Sequence, residues 1–237
     1  MLSTPRHKVS RVPEFKEVVY DYKVWRTLEV LRGRALNIML KLRECGFEPI
    51  AHGSVARGDV TPKSDVDVVI TYSIQPYKVE VCLERSGLKP FKKYLVQATP
   101  SSTPKAYVEL DAEGLTTVSF PILNLSQREL EFYRFGGLVD VNDLIKGVRK
   151  PGVNKNLILI VPTDSGHREA PVVGYEPYVA NVLNISLETV LERVRVLTRR
   201  DDVGRTGTFL NYVLNVDESF EEALAKLVKS GRLKLMR

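Results

Sequence analysis

The segment HGSVARGDVTPKSDVDVVI, residues 52–70, constrains this chain more than any other part of its sequence. It ends in an apolar strand pattern that carries two carboxylates, Asp65 and Asp67, two positions apart. Alternate residues of a strand point to the same face of a sheet, so we expect both carboxylates to project together while Val66 and Val68 face the core. Two carboxylates held so close repel each other unless a cation lies between them, and oxygen ligands of this kind suit Mg²⁺ or Mn²⁺.

Ten residues separate a glycine turn, Gly53-Ser54, from the first of these carboxylates. Glycine lets a backbone approach a phosphate closely, and backbone N–H groups at the start of a helix favour anions. Arg57 and Lys63 add positive charge nearby. An Asp-x-Asp pair alone is usually a solvated strand end, and Gly-Ser alone is a turn, but the joint pattern predicts a polyphosphate contact followed by a metal site. Such an arrangement suits in-line phosphoryl displacement.

These residues resemble the signature of the DNA polymerase β-type nucleotidyltransferase superfamily, in particular its minimal prokaryotic and archaeal members. The resemblance implies an α+β fold in which helices flank a mixed sheet. It implies transfer of a nucleoside monophosphate from an NTP substrate to a hydroxyl of a nucleic-acid or protein acceptor, with release of pyrophosphate and with Mg²⁺ or Mn²⁺ as cofactor. Gly53 and Ser54 then correspond to the phosphate-binding turn, and Asp65 and Asp67 to the first two catalytic metal ligands.

The resemblance also implies a third carboxylate on a neighbouring strand, and the strand pattern LTTVSFPI, residues 115–122, has no acidic residue at 116–119. The preceding strand pattern KAYVELD offers Glu109, which a hairpin would place beside Thr117, since cross-strand neighbours lie only ~5 Å apart. We predict Glu109 as the third catalytic and metal-binding residue, with a solvated hairpin glutamate as the alternative. Asp111 is expected to serve the turn.

The composition changes at KGVRKPGVNKN, residues 146–156, which is basic and rich in turn formers. We therefore predict a nucleotidyltransferase-like domain over residues 1–148 and a smaller C-terminal α/β domain over residues 149–237. Within the second, residues 179–197 resemble a helix-turn-helix, with Asn184 at the turn and Ser186 capping the second helix. The segment TGTFLNYVL, residues 206–214, is then the expected wing of a winged helix.

Arginines cluster along the second helix of this motif, and recognition helices use such residues to contact phosphates and bases. The predicted nucleic-acid-binding residues are Arg193, Arg195, Arg199 and Arg200, followed by Arg205. A helical hairpin with a solvated basic face is the alternative. A non-catalytic nucleic-acid-binding regulator, or an antitoxin-like protein with a protein partner, is accordingly the second hypothesis for the whole chain.

The composition excludes collagen-like and wholly disordered chains, with 43% hydrophobic and 27% charged residues. The net charge of +6 suits contact with phosphate without requiring it. No apolar run approaches the ~20 residues of a membrane span, so we expect a cytoplasmic protein without a membrane partner. The isolated cysteines, Cys45 and Cys82, are then expected to be reduced and buried. His167, at the turn of an expected hairpin, is predicted to lie on the surface.

Overall fold

A computed structural model describes Val9, residues 15–204 and residues 207–233. The helices are α1 Tyr22–Glu44, α2 Ser54–Arg57, α3 Pro76–Arg85, α4 Gln127–Gly136, α5 Val141–Ile145, α6 Glu176–Leu183, α7 Leu187–Val203 and α8 Phe220–Lys229. The strands are β1 Lys16–Val19, β2 Ile50–His52, β3 Val66–Val69, β4 Lys92–Gln97, β5 Lys105–Glu109, β6 Thr116–Pro121, β7 Leu138–Val139, β8 Gly152–Val153, β9 Ile158–Thr163, β10 Gly166–Pro171 and β11 Leu210–Val213.

Two compact units are interleaved along the sequence. The first comprises the described parts of residues 1–33, 52–64 and 127–206, and the second those of residues 34–51, 65–126 and 207–237. The domain boundary predicted between residues 148 and 149 falls inside the first unit and stays a prediction.

The second unit is built on a mixed sheet in the order β11-β4-β5-β6-β3-β2. Strand β3 runs parallel to β6, whereas β4, β5 and β6 form an antiparallel meander. Alternate side chains of these strands, among them Val68, Val108 and Phe120, are fully buried on one face, and the ring of Phe220 from α8 contacts Phe120. This mixed sheet with flanking helices confirms the α+β part of the predicted fold class.

The first unit contains an antiparallel sheet in the order β1-β10-β9-β8, whose apolar side chains share a core with α6 and α7. The expected hairpin is present as β9 and β10. His167 is nevertheless buried, with 4% of its surface exposed, and its Nδ1 lies 2.7 Å from the hydroxyl of Tyr20. The predicted surface position is wrong because strand β1 pairs with β10 and places Val18 opposite His167.

Helices α6 and α7 are consecutive and are joined at Asn184, and the helix-turn-helix assignment stays a prediction. Asn184 adopts a left-handed conformation between them (φ 50°, ψ 55°), and the Ser186 side chain accepts a hydrogen bond from the Thr189 backbone to cap α7. The predicted wing is instead β11, which pairs with β4 at the edge of the second unit's sheet. The structure therefore does not show a winged helix; Arg205 and Thr206 lie outside the described residues.

The two cysteines form a disulfide, so the prediction of two reduced thiols is wrong. Cys45 follows the end of α1 and Cys82 lies in α3, and their Cα atoms are 6.0 Å apart, within the range that a disulfide spans. A sequence separation of 37 residues gave no indication of this proximity. Within the described part of the chain, no helix is both long and apolar enough to cross a membrane.

Candidate active site

Asp65 and Asp67 lie at the start of β3, with Asp65 immediately before the strand and Asp67 within it. Both are half-buried, whereas the intervening Val66 and the following Val68 are fully buried. The predicted alternation is therefore present, and the two carboxylates lie on the face of the strand opposite the core.

Thr117 occupies the position beside Asp67 on the neighbouring strand. The parallel register of β3 and β6 places the two residues opposite each other, and Thr117 Oγ1 donates a hydrogen bond of 2.8 Å to Asp67 Oδ1. Thr117 is buried, so this bond holds the Asp67 carboxylate in one orientation. Next to Asp67 on β6 the chain thus presents a hydroxyl and not a carboxylate.

Glu109 lies one strand further from Asp67. It pairs with Thr117 across β5 and β6, as the hairpin predicted, so about two strand spacings (~10 Å) separate its backbone from that of Asp67. Its carboxylate forms an ion pair with Lys92 Nζ at 3.4 Å and hydrogen-bonds the Tyr94 hydroxyl. Among the described residues, no three His, Cys, Asp or Glu side chains are grouped as a ligand set. The role of Glu109 as third metal ligand stays a prediction.

Asp111 serves the turn between β5 and β6, as expected. Its Oδ1 accepts a hydrogen bond of 2.8 Å from the backbone N–H of Leu115. Although burial alone would raise the pKa of Asp111, hydrogen bonds from Thr116 and Leu115 lower it below the ordinary value. Asp111 is accordingly a structural residue of the hairpin.

The Gly53-Ser54 turn lies in the first unit, where it starts the short helix α2. Gly53 has φ 83° and ψ −142°, and its N–H donates to the Gly137 carbonyl at 2.9 Å. A Cβ added at Gly53 would meet no atom within 4 Å. Glycine is therefore required here by the backbone conformation, since the space in front of it is open.

Arg57 and Lys63, the two cations predicted to assist phosphate binding, have different surroundings. Arg57 is only 5% exposed, and its guanidinium donates hydrogen bonds of 2.9 and 3.0 Å to the two carboxylate oxygens of Asp59. A further N–H of Arg57 donates to the Gly136 carbonyl. Lys63 is exposed. The described contacts of Arg57 therefore hold the glycine turn to the end of α4.

The arginines of α7 also differ among themselves. Arg193 is half-buried and stacks on the ring of Phe132 at 4.9 Å, and burial lowers its pKa. The other three predicted residues are Arg195, which is exposed, and Arg199 and Arg200, which are exposed near the end of the helix. Arg193 thus contributes to packing within the first unit, whereas the others face solvent.

Sequence reasoning missed three residues on the carboxylate face of the sheet. The sequence predicts Thr117 only as an uncharged neighbour of Glu109, and it does not assign Tyr94 or Tyr107 to the site. The alternation of KAYVELD placed Tyr107 on the polar face, and the same alternation in FKKYLVQA would have placed Tyr94 there. The partnership of Thr117 with Asp67 depends on a parallel pairing that no local pattern reveals.

No curated protein matches the chain. A family model described as a nucleotidyltransferase domain matches residues 33–115. The matched stretch contains the predicted phosphate turn, Asp65, Asp67 and Glu109, and it ends before Thr117. This match covers residues 33–115 of the 237 residues and supports a general nucleotidyl transfer activity.

Proposed function

We propose that this protein is a metal-dependent nucleotidyltransferase that transfers a nucleoside monophosphate from an NTP to a hydroxyl of an acceptor. The observation that carries the proposal is the Asp65 and Asp67 pair on β3, within the stretch that matches a nucleotidyltransferase domain. Two half-buried carboxylates on one face of a strand are the hard oxygen donors that Mg²⁺ and Mn²⁺ prefer, so this donor set fits the metal.

In the proposed reaction, the oxygen of the acceptor hydroxyl bonds to the α-phosphorus of the NTP and its proton passes to solvent, while the bond from the α-phosphorus to the oxygen that bridges to the β-phosphate breaks and pyrophosphate leaves. Asp65 and Asp67 would hold the metal, and Thr117 fixes the orientation of Asp67. A bound divalent ion supplies charge neutralisation and lowers the pKa of the attacking hydroxyl. On sequence grounds Gly53 and Ser54 remain the proposed polyphosphate contact, with Lys63 as an additional cation.

We assign Arg57 a supporting role in this scheme in place of direct phosphate binding. Its guanidinium is buried against Asp59 and the Gly136 carbonyl, so a phosphate would have to displace existing charge-assisted hydrogen bonds. Its contacts instead hold Asp59 and the Gly136 carbonyl, next to the Gly137 carbonyl that accepts the hydrogen bond from the Gly53 N–H. We therefore expect Arg57 variants to lose stability together with activity.

Glu109 has two competing roles, as a third metal ligand or as the partner of Lys92 and Tyr94. The variant Glu109→Gln separates them. If Glu109 binds metal, the variant loses at least ~100-fold in metal-dependent transfer, because a catalytic ion is held by fewer charges. If it serves Lys92 and Tyr94, transfer falls only a few-fold and the Mg²⁺ concentration for half-maximal activity is unchanged.

The test is a transfer assay with each α-labelled NTP, Mg²⁺ or Mn²⁺, and tRNA, single-stranded RNA, DNA or the protein itself as acceptor. Wild type is compared with Asp65→Asn and Asp67→Asn, with Asp164→Asn at an exposed turn as the matched control. We expect transfer by wild type and the control, no transfer by the two site variants, and unchanged thermal unfolding in all four. Full activity in both site variants would contradict the proposed role of Asp65 and Asp67 in nucleotidyl transfer.

Nucleic-acid binding by α6 and α7 is the second candidate function, favoured by the αL turn at Asn184, the Ser186 cap and the exposed Arg195 and Arg199. If these arginines contact phosphates, Arg195→Ala with Arg199→Ala should reduce the slope of log affinity against log salt by about 2. Binding is measured by anisotropy with duplex DNA and with RNA. An unchanged slope would show that Arg195 and Arg199 do not contact phosphates.

A further inference from the structure

Two tyrosine rings are stacked on each other on the sheet of the second unit. Tyr94 of β4 and Tyr107 of β5 are direct cross-strand neighbours, their ring centroids are 5.1 Å apart, and the ring planes differ by only 4°. Stacked aromatic faces of this kind are the surfaces on which nucleobases pack in proteins that bind single-stranded nucleic acid.

The tyrosine pair shares its face of the sheet with the candidate carboxylates. Tyr107 lies two residues from Glu109 on β5 and opposite Ser119, which in turn lies two residues from Thr117 on β6. Asp67, Thr117 and Glu109 are neighbours across three adjacent strands, and Thr117 hydrogen-bonds Asp67. The two tyrosines therefore lie beside these three residues on the same face of the sheet. The other face of the same strands is taken up by the apolar core.

Tyr94 is half-buried, and a cation lies over its ring. Lys92 lies with its Nζ 5.1 Å from the centroid of the Tyr94 ring, and 42% of its side chain is exposed. Val213, opposite Tyr94 on β11, is 51% exposed. A planar ligand at this edge would meet an aromatic ring, an apolar side chain and the ammonium group of Lys92, which is paired with Glu109.

We propose that Tyr94, backed by Tyr107, is the platform on which a nucleobase stacks during nucleotidyl transfer. The inference rests on the proposed function, and it adds a binding subsite beside the carboxylates. The base belongs to the NTP or to the terminal nucleotide of the acceptor, and both sources present the same planar π-face. If the pair only stabilised the sheet as a cross-strand contact, its removal would change stability without changing the affinity for bases.

The experiment measures equilibrium binding to the full chain without turnover. The probes are the fluorescent 1,N6-etheno-ATP, a short fluorescent single-stranded oligoribonucleotide, and tripolyphosphate, which has no base and is followed by competition. Tyr94→Leu removes the ring, Tyr94→Phe keeps it as the matched control, and thermal unfolding verifies that each variant is folded.

We expect Tyr94→Leu to weaken binding of at least one base-bearing probe by roughly 5- to 100-fold, as loss of one stacked base predicts. Tyr94→Phe should bind within twofold of wild type, and tripolyphosphate should bind all three proteins equally. Weakening of etheno-ATP assigns the base to the NTP, and weakening of the oligoribonucleotide alone assigns it to the acceptor.

The proposal is overturned if Tyr94→Leu binds both base-bearing probes as tightly as wild type, if tripolyphosphate is weakened equally, or if wild type binds neither base-bearing probe. None of these readouts requires catalysis. Loss of the proposed function would instead be seen in the transfer assay with Asp65→Asn and Asp67→Asn, so the two failures are distinguishable.

Discussion

Reduction of the Cys45–Cys82 disulfide should lower the free energy of unfolding by about 4 kcal/mol. The bond joins the end of α1 to α3 across a sequence separation of 37 residues. A crosslink that closes a loop of this length restricts the unfolded chain, and the loop-closure relation gives ~4 kcal/mol at 25 °C. Because folded proteins are typically stable by only about 5–15 kcal/mol, this bond carries a large part of the stability.

The assay compares oxidised and reduced wild-type protein, which have the same sequence and differ only in the crosslink. Thiols are counted in denaturant to verify each state, and unfolding is followed by urea titration and by heating. At about 2–4 °C per kcal/mol for a chain of this size, the expected fall in Tm is roughly 8–16 °C. The reasoning is refuted if the oxidised protein shows two free thiols, or if reduction leaves both transitions unchanged.

Three further predictions concern the supports of the site and of the helix pair. Asp59→Asn should cost about 3 kcal/mol in urea unfolding, because it leaves the buried Arg57 guanidinium without its charge partner; a cost below 1 kcal/mol would contradict this. Gly53→Ala should cost about 1–3 kcal/mol from backbone strain alone, since no atom obstructs the added Cβ. An unchanged unfolding midpoint would contradict this strain. Hydrogen bonds from Ser186 and Thr189 lower the pKa of Glu131 to about 2, so the ionised carboxylate stabilises the fold above about pH 5 and this contribution is lost as the pH falls towards 2. Glu131→Gln should therefore lower the free energy of unfolding by about 2 kcal/mol at pH 7 and by little at pH 2, and an equal loss at both pH values would contradict this pH dependence.

Local patterns predicted those parts of the site that depend on one strand or one hairpin. The two-residue period of DVDVVI placed Asp65 and Asp67 on one face, and the register of two consecutive strands placed Glu109 beside Thr117. The turn and cap at Asn184 and Ser186 followed from residue type. In each case the determining interactions lie within a few residues of one another along the chain.

Features that depend on distant segments were not predictable in the same way. The parallel pairing of β3 with β6 joins residues 50 positions apart, and only this pairing reveals the hydrogen bond from Thr117 to Asp67. Strand β1 is largely exposed and has no apolar alternation, so no local pattern predicts its pairing with β10 or the burial of His167 against Tyr20. The disulfide likewise depends on how α3 packs, which the spacing of two cysteines does not encode.

The most direct test of the central claim is the position of the phosphate that remains on the acceptor. Nucleotidyl transfer leaves the α-phosphate on the acceptor and releases β and γ together as pyrophosphate, whereas a kinase-type reaction transfers the γ-phosphate. Parallel reactions with α-labelled and γ-labelled NTP in Mg²⁺ should label the acceptor from the α position only, and Asp67→Asn should abolish that labelling. Labelling from the γ position, or labelling that survives in Asp67→Asn, would contradict the account.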